Sequence, residues 1–524
     1  MTRRPGPAPA LMIVGTCSDA GKSTLVAALC RIFARRGLAV APFKAQNMSL
    51  NAGVTAEGHE IGRSTCVQAE AAGIPPHVDM NPVLLKPEAE KRSQVILEGR
   101  PHSHLLSKDW HARRDVFWRA ITASLDRLRQ RVDLVIIEGA GSPAEINLAH
   151  SDVTNLRVAV YAGAPALLVG DIDRGGVFAS LLGTVLLLED DQRETVKGFV
   201  INRMRGDVGL LADGPAELEK RAGGIPTLGV IPWLSDIGLA EEDRLIPPES
   251  PEGPCEVDVA VIRFPRLSNF DDFDPLVSEP GVRVRLVSSP RELTTPEGAP
   301  TDAVILPGTK MTLADLAWLR RVGLADALVE LAGTGVQIVG VCGGFQMLGA
   351  DIVDQEGAEA EAGSREPGLG LLPTVTHFSR HKHTRLRKAE VIGGGGPLGE
   401  LEGADVKGYE IHMGTTRWPH SEGGGAPDAG RRRAVLRWTD DNAPAPDDQA
   451  SALDGASDEA GHVWGVYLHG LFDADDFRHR WLRGLGRRGP GRRFDRGAAY
   501  DRLADHVERH LDMDAIEHLL WPEC

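Results

Sequence analysis

The sequence contains few cysteines and no long apolar run. Its 524 residues include six cysteines, which are scattered and form no C-x-x-C pair. This spacing argues against a disulfide framework and against a zinc ribbon. No apolar stretch reaches the roughly 20 residues that a membrane-spanning helix needs, and the start MTRRPGPAPALMIVG shows no signal-peptide cleavage site. We therefore expect a cytoplasmic protein without a membrane partner.

The chain also has fewer basic residues than acidic ones. The chain has 58 Lys and Arg against 74 Asp and Glu, a formal net charge of -16. Such a balance argues against general attraction to a nucleic-acid backbone. One Arg-rich stretch, FRHRWLRGLGRRGPGRRFDRG at 477–497, carries no nucleic-acid-binding fold motif. It predicts a solvated surface or an intramolecular contact, and we expect no nucleic-acid partner.

The length and the hydrophobic pattern together predict two α/β domains. Short β-rich apolar runs such as LMIVGT, VDLVIIEGA and APALLVGDID alternate with helical patterns, which indicates a parallel sheet covered by helices. After a Pro-rich stretch the alternation restarts with VDVAVIRF. We expect a first domain at 1–245, a linker at 246–256, a second domain at 257–475, a helical tail at 476–524, and surface loops at 356–368, 420–433 and 440–461.

The stretch LMIVGTCSDAGKSTLVAAL predicts a strand, a phosphate-binding turn and a helix. Backbone N–H groups of such a turn cradle phosphates, the lysine reaches the β and γ oxygens, and the serine hydroxyl binds Mg²⁺. The first glycine lies one residue further from G-K-S-T than in the common motif. The alternative is a simple strand-to-helix turn with an exposed lysine. The predicted nucleotide-binding residues are Gly15, Thr16, Gly21, Lys22, Ser23 and Thr24.

Two acidic residues are further candidates near this turn. Glu138 ends the apolar run VDLVIIE, where parallel sheets form ligand crevices, so it is a candidate Mg²⁺ ligand together with Ser23. Its alternative is an acidic helix cap. Asp19, inside the turn, either positions substrate or metal or stabilises the turn itself.

The stretch VQIVGVCGGFQMLGA places Cys342 between an apolar strand and two glycines. A sharp strand-to-helix turn holds a nucleophile in an exposed, strained position. Gly343 and a second strand end, ILPGTK with Gly308 and Thr309, offer backbone amides for an oxyanion hole. The alternative for Cys342 is a small buried hydrophobic residue.

A cysteine nucleophile needs a base, and the sequence offers several histidines. His469 ends the strand pattern in HVWGVYLHGLF, and such partners meet in space rather than in sequence. His412 in GYEIHMG and the HFSRHKH group remain open alternatives. The latter only superficially suggests a metal cluster.

These motifs resemble known families over nearly the whole chain. The first half is similar to dethiobiotin synthetase through GTCSDAGKST and EGAG, and the second half is similar to class I glutamine amidotransferases through PGTK, GVCGGFQMLG, GYEIHMG and GVYLHGLFD. More specifically, KAQNMSLNAGVT, DIDRGGVFAS and INRMRGD resemble segments of the cobyric acid synthase family. The fold implied is a dethiobiotin-synthetase-like P-loop domain with a parallel sheet, followed by a class I glutamine amidotransferase α/β domain.

The resemblance implies an ATP- and glutamine-dependent ligase of cobalamin biosynthesis. Its reaction would amidate the b, d, e and g carboxylates of adenosylcobyrinic acid a,c-diamide through acyl phosphates, with Mg²⁺ as cofactor. It also implies Cys342 as nucleophile and His469 as base. Common class I amidotransferases carry a glutamate two residues after this histidine, whereas this chain has Leu471. Glu410 is then a possible distant substitute.

Family-specific segments supply candidates for substrate contacts. Lys44, Asn47 and Arg63 are the residues expected to bind the corrinoid, and Lys86 and Arg92 are further basic candidates. Ordinary surface charge is the alternative for each basic side chain.

Three other functions stay open at this stage. The nearest is cobyrinic acid a,c-diamide synthase, which acts one stage earlier in the same pathway. A nucleotide-dependent ATPase switch would explain the phosphate loop but not Cys342. A binding protein with an inactive amidotransferase domain would explain Leu471.

Overall fold

The computed structural model describes residues 6–89, 91–106, 109–147, 152–234, 255–418, 434–440 and 452–522. It contains two compact units. The first comprises 1–49, 59–243 and 495–524, and the second comprises 50–58 and 244–494. The predicted linker at 246–256 and the predicted loop at 420–433 fall almost entirely outside the described residues. The other two predicted loops are not wholly irregular: Ser364–Pro367 in 356–368, and Leu453–Asp454 and Ala456–Ser457 in 440–461, are short strands because each pairs with a neighbouring strand.

The first half of the chain alternates strands and helices in the predicted manner. Its strands are β1 (Ala10–Gly15), β2 (Val40–Lys44), β3 (Gln46–Met48), β4 (Ala52–Val54), β5 (Glu60–Gly62), β6 (Val83–Ala89), β7 (Arg92–Leu97), β8 (Arg100–Leu106), β9 (Leu134–Glu138), β10 (Ala166–Asp171), β11 (Val196–Met204) and β12 (Thr227–Pro232). Its helices are α1 (Lys22–Arg35), α2 (Arg63–Ala71), α3 (Trp110–Arg129), α4 (Leu156–Ala162), α5 (Val177–Leu187), α6 (Asp190–Arg193) and α7 (Gly214–Arg221).

The first unit is built on a six-stranded parallel sheet in the order β12-β11-β10-β1-β9-β2. The central strands are buried on both faces, which is why they read as continuous apolar runs. Because β1 and β9 are parallel neighbours, Gly15 and Glu138 lie at the same edge of the sheet. A smaller sheet in the order β3-β6-β7-β8 belongs to the same unit.

The second half of the chain contains more strands and short helices. Its strands are β13 (Val257–Ile262), β14 (Val282–Val287), β15 (Ala303–Leu306), β16 (Gln337–Val341), β17 (Asp351–Asp354), β18 (Ser364–Pro367), β19 (Val375–Val391), β20 (Asp405–Arg417), β21 (Leu436–Trp438), β22 (Leu453–Asp454), β23 (Ala456–Ser457) and β24 (Val463–Val466). Its helices are α8 (Asp274–Val277), α9 (Thr312–Arg321), α10 (Leu324–Ala332), α11 (Gly343–Leu348), α12 (Gly396–Gly399), α13 (Asp475–Gly484), α14 (Arg496–Glu508) and α15 (Met513–Leu520).

The second unit contains two sheets. One has the order β14-β13-β15-β16-β24-β23 and is parallel except for β23 at its edge. The other has the order β18-β17-β19-β21-β22, and β20 also pairs with β19. In the first of these sheets, β15, β16 and β24 are parallel neighbours, so the loops that follow them emerge at one edge.

The predicted helical tail at 476–524 is shared between the two units. Helix α13 lies in the second unit, whereas α14 and α15 complete the first. Apolar side chains of α14 join the core that covers one face of the first sheet. Ion pairs Arg31–Asp501 (2.8 Å) and Arg35–Asp505 (2.6 Å) join α14 to α1.

The Arg-rich stretch makes intramolecular contacts, one of its two predicted fates. Arg478 is fully buried and its Nε atom lies 2.8 Å from Oε1 of Glu279. Arg487 Nη1 lies 2.7 Å from the other oxygen of the same carboxylate. Among the described helices, none combines the length and the apolarity that a bilayer crossing requires.

Candidate active sites

The turn between β1 and α1 is stabilised from within the first unit. Gly21 has φ 91°, and a Cβ atom there would lie 2.0 Å from Nδ2 of Asn202. Asn202 donates from the same nitrogen to the backbone oxygen of Ala20 (3.0 Å). Glycine is therefore required at position 21 by both conformation and space.

Lys22 reaches across this turn. Its Nζ atom donates to the backbone oxygens of Cys17 (2.9 Å) and Gly141 (3.2 Å). The second contact joins the turn to the segment that follows β9. The predicted phosphate-binding lysine is thus held over the turn at the carboxyl edge of the sheet.

Glu138 is the centre of a buried polar cluster. Its Oε1 atom accepts from Ser23 Oγ (2.7 Å) and from Lys44 Nζ (2.9 Å), and its Oε2 atom accepts from Gln68 Nε2 (2.5 Å). Burial alone would raise the pKa of Glu138, but the charge of Lys44 and the hydrogen bonds from Ser23, Gln68 and Lys44 hold it below its usual value. The carboxylate therefore stays ionised beside the turn.

The donors of this cluster fit a magnesium ion. Mg²⁺ prefers oxygen ligands and is commonly held by one or two protein oxygens together with substrate phosphates. The Ser23 hydroxyl and the Glu138 carboxylate provide such oxygens, and the structure brings them together as the sequence predicts. Lys44 donates to the same carboxylate oxygen as Ser23. Its positive charge therefore neutralises part of the negative charge of Glu138 that would otherwise attract the ion.

Asp19 belongs to a separate cluster of charged side chains. Its carboxylate accepts from Arg203 (2.8 Å) and Arg174 (3.0 Å). Arg203 also bonds Asp171 (3.0 Å), which ends β10, and the Asp19 backbone oxygen (2.8 Å). Burial alone would raise the pKa of Asp19, whereas hydrogen bonds and charge from Arg203 and Arg174 lower it. These contacts support the turn-stabilising alternative for Asp19.

The predicted corrinoid-binding residues are buried in the first unit, and each has a partner in this unit. Lys44 pairs with Glu138, as described above. Asn47 Nδ2 donates to Ser64 Oγ (3.5 Å), and Arg63 pairs with Glu70 (3.1 Å). Of the two further basic candidates, Lys86 pairs with Glu60 (2.8 Å) and Arg92 pairs with Glu88 (2.9 Å). A role of these residues in substrate binding stays a prediction.

In the second unit, Cys342 occupies a sharp turn between β16 and α11. Its backbone has φ 52° and ψ −110°, an unusual conformation for a residue other than glycine. The strand-end backbone holds this turn, since Cys342 N donates to Val466 O (2.8 Å). The structure thus shows the strained strand-to-helix turn that the sequence predicts. The prediction that this turn exposes Cys342 is wrong, because the side chain packs into an apolar core of the second unit and is buried.

Glycines allow the segment around Cys342 to approach the end of β15. A Cβ atom on Gly344 would lie 1.9 Å from the backbone oxygen of Leu306, and one on Gly343 would lie 2.7 Å from Thr309 Cγ2. A Cβ atom on Gly308 would lie 2.9 Å from His469 Cε1. The two predicted oxyanion-hole glycines therefore line the space around Cys342 and His469. Gly343 also begins α11, so its N–H has no acceptor within the helix.

His469 lies beside Cys342 and is oriented by Asp272. The Cys342 side chain lies close enough to raise the pKa of the His469 ring, and the Nδ1 atom of this ring lies 2.7 Å from Oδ2 of Asp272. The Cys342 thiol itself donates to the backbone oxygen of Ile411 (3.5 Å). The other oxygen of Asp272 accepts from Gly470 N (2.9 Å). On one face, the ring of Tyr409 stacks at a centroid distance of 5.2 Å. Cysteine, histidine and aspartate thus form a catalytic-triad geometry.

The charge of Asp272 dominates the protonation of His469. Burial alone would lower the pKa of His469, but the charge and hydrogen bond of Asp272, together with Cys342, raise it to about 10. A protonated imidazole is therefore stable at this position.

Glu410 does not orient His469, contrary to the sequence-based expectation. Its carboxylate bonds Arg387 Nε (2.5 Å) and lies 3.4 Å from His412 Nε2. His412 stacks on Tyr467 at 3.8 Å and on His383 at 5.0 Å. Across the described residues, the histidines of this region join no cluster of metal-ligating side chains. Asp272 therefore provides the orienting carboxylate that position 471, a leucine in this chain, does not.

Sequence reasoning missed Asp272, Asn269 and Gln68. Asp272 lies in SNFDDFD, which follows β13 and carries no motif or spacing that identifies it. The acidic residues of that segment, at the carboxyl edge of a parallel sheet, are the one signal available. Gln68 lies inside a family-specific segment, but its side chain gives no sequence signal of contact with Glu138.

Comparisons with known proteins match both halves of the chain. A family described as "CobQ/CobB/MinD/ParA nucleotide binding domain" matches residues 11–247, and one described as "CobB/CobQ-like glutamine amidotransferase domain" matches 258–477. Proteins named cobyric acid synthase from Chloroflexus aggregans (50% identical, covering 98% of this chain and 99% of the relative) and Herpetosiphon aurantiacus (47%, 98% and 99%) align over nearly their full lengths. A third, from Sorangium cellulosum, is 48% identical and covers 97% and 98%. The chain therefore belongs to the cobyric acid synthase family.

Proposed function

We propose that this protein amidates the b, d, e and g carboxylates of adenosylcobyrinic acid a,c-diamide, with ATP and glutamine as co-substrates. Family membership makes it a glutamine-dependent amidating ligase that uses ATP. The observation that carries the proposal is the Cys342–His469–Asp272 geometry on a chain that also has a P-loop with a buried Ser23–Glu138 pair. A switch ATPase would have no use for the first of these sites.

The first unit would activate the acid. A carboxylate does not react with ammonia, because oxide would have to leave. Transfer of the γ-phosphoryl group to a carboxylate oxygen forms an acyl phosphate and ADP, and phosphate then leaves when ammonia attacks the carbonyl carbon. Lys22 and the backbone amides of residues 15–24 would neutralise and position the phosphates. Ser23 and Glu138 would hold Mg²⁺, which supplies further charge neutralisation when bound.

The second unit would release ammonia from glutamine. His469 takes the thiol proton of Cys342, and the thiolate sulfur attacks the amide carbon of glutamine. The amides of Gly343 and Gly308 would bind the oxyanion that develops. The imidazolium then gives its proton to the departing nitrogen, so that ammonia leaves and a thioester forms. Water, deprotonated by His469, hydrolyses the thioester to glutamate and regenerates the thiol.

Residues of the first unit would bind the corrinoid. Lys44, Asn47 and Arg63 are the proposed contacts, because a substrate with several carboxylates favours cationic and amide donors. Lys44 already bonds Glu138 beside Ser23. A lysine at that place can approach both the phosphoryl group and the acid that receives it.

Incubation with defined corrinoids tests this function. The purified protein is supplied with ATP, Mg²⁺ and glutamine, together with either cobyrinic acid or its adenosylated a,c-diamide, and products are identified by mass spectrometry. We expect four added amides on the a,c-diamide, and none without ATP. Amidation of only the a and c carboxylates of cobyrinic acid would instead identify a cobyrinic acid a,c-diamide synthase. ATP hydrolysis without any amidation would favour the switch.

A further inference from the structure

One short segment of the second unit is supplied by the first half of the chain. Residues 50–58 belong to the second unit, although the residues on either side of them in sequence belong to the first. The segment contains β4, and Asn51, Ala52, Val54 and Thr55 within it are buried. A Cβ atom on Gly58 would lie 2.8 Å from the backbone oxygen of Thr384 in β19. The segment is therefore closely packed onto the amidotransferase unit.

This 50–58 segment holds Asn269 by two hydrogen bonds. Asn269 N donates to Oδ1 of Asn51 (2.6 Å), and Ala52 N donates to Oδ1 of Asn269 (3.0 Å). Asn269 has φ 53° and ψ 45°, a left-handed conformation that asparagine tolerates better than most residues. The two bonds fix both its backbone and its carboxamide.

The orientation of that carboxamide affects His469. Because the Ala52 N–H needs an acceptor, the carboxamide oxygen faces Ala52 and the nitrogen faces the imidazole, with Nδ2 lying 3.4 Å from Nε2 of His469. Asn269 also precedes the short helix Phe270–Phe273 that carries Asp272. One turn thus places Asp272 at Nδ1 and Asn269 near Nε2 of the same ring.

An amide nitrogen at this place favours the state of His469 that accepts a proton. An N–H group stabilises a lone pair on Nε2 and opposes its protonation, whereas an amide oxygen there would stabilise the imidazolium. Asp272 and Cys342 both favour the imidazolium, and Tyr409 stacks on the ring. Asn269 opposes them, so that the proton taken from Cys342 can be passed to the departing nitrogen.

We propose that the 50–58 segment acts as a clamp on Asn269, which positions His469, so that glutamine hydrolysis depends on chain contributed by the ATP-binding half. This inference rests on the proposed glutaminase role of Cys342 and His469. When the clamp is lost, the Asn269 carboxamide can rotate and turn its oxygen towards Nε2 of His469. Glutamine hydrolysis then slows, because the imidazolium gives up its proton less readily.

Replacement of Asn51 by leucine tests the clamp. Asn51→Leu keeps the branched shape and the number of side-chain heavy atoms but removes the acceptor for Asn269 N, so that Asn269 is no longer held in place against Ala52 N. We expect kcat for glutamine hydrolysis to fall by about fivefold or more, the effect of losing one hydrogen bond. We also expect the alkaline limb of its pH profile to move to higher pH, since the pKa of His469 rises. Amidation supported by ammonium salts should remain, because it bypasses His469.

Two control variants separate positioning from general damage. Asn51→Asp keeps an oxygen acceptor and should recover most of the hydrolysis rate. Ala56→Ser, in the exposed turn of the same segment, should behave as wild type. Wild-type hydrolysis and an unmoved pH profile in Asn51→Leu would overturn the clamp, and so would equal loss of glutamine- and ammonium-dependent amidation. Neither result would touch the proposed function, which depends on the corrinoid products and on Cys342.

Discussion

The Oδ2 atom of Asp272 lies 2.7 Å from Nδ1 of His469, although 197 residues separate them in the chain. This contact fixes the orientation of the imidazole, and its other nitrogen lies 3.4 Å from Nδ2 of Asn269. In relatives of the class I type the orienting carboxylate follows the histidine by two residues, where this chain has Leu471. In this chain the orienting carboxylate therefore comes from the segment that follows β13.

Asp272→Asn should impair glutamine hydrolysis far more than amidation with ammonium. An asparagine leaves the geometry nearly unchanged but cannot stabilise the imidazolium, and the loss in kcat should be about 100-fold or more. Steady-state glutamate release measures it. Glu410→Gln is the contrasting variant, because Glu410 bonds Arg387 rather than His469. A larger loss in Glu410→Gln than in Asp272→Asn would contradict the role of Asp272.

The same pair predicts a pH-dependent contribution to stability. The pKa of His469 is raised from 6.5 to about 10 in the folded protein. A raised pKa contributes stability that is fully present below pH 6.5 and is lost as the pH rises through about 10. Asp272→Asn should therefore be less stable than wild type by about 3–5 kcal/mol at neutral pH, and the difference should shrink towards pH 10. Urea unfolding of both proteins at pH 7 and at pH 10 measures this; an equal difference at both values would contradict it.

Cys342→Ala and Lys22→Ala should separate the two half-reactions. Without Cys342, amidation with glutamine should be abolished, while amidation with ammonium salts continues, since acid activation is independent of the thiol. Without Lys22, both should fall by about 100-fold or more, because the phosphoryl group is no longer positioned. Product analysis with each nitrogen source decides. Ammonium-dependent turnover that survives in Lys22→Ala would contradict the role given to the phosphate loop.

Gly344→Ala should misplace Cys342. The new Cβ atom would lie 1.9 Å from the backbone oxygen of Leu306, so β15 and α11 must separate. We expect a loss of about 1–3 kcal/mol in the free energy of unfolding, with a fall in glutamine hydrolysis. Gly183→Ala in α5 is the matched control, because no heavy atom lies within 4 Å of its Cβ position. Alanine there should be neutral or slightly stabilising; equal thermal midpoints for the two variants would refute the clash.

Local sequence specified the chemistry of the two reactive turns. The residues from Gly15 to Ser23 and from Val341 to Gly344 are contiguous, and a strand, a glycine and a helix start dictate where their backbone amides and reactive side chains point. The parallel sheets could likewise be predicted from the continuous apolar runs. A strand that is buried on both faces has no solvent-facing side, so polar residues do not alternate with its apolar ones.

The groups that support those turns required the folded chain. Ser23 meets Glu138 across 115 residues, His469 meets Asp272 across 197, and Asn269 meets Asn51 across 218. No sequence motif around Asp272 or Asn51 predicts which residue it contacts. A single hydrogen bond restricts the identity of the two bonded residues but leaves no repeated pattern in the residues beside them. Helices α14 and α15 likewise return to the first unit through packing on α1, a surface that periodicity alone does not identify.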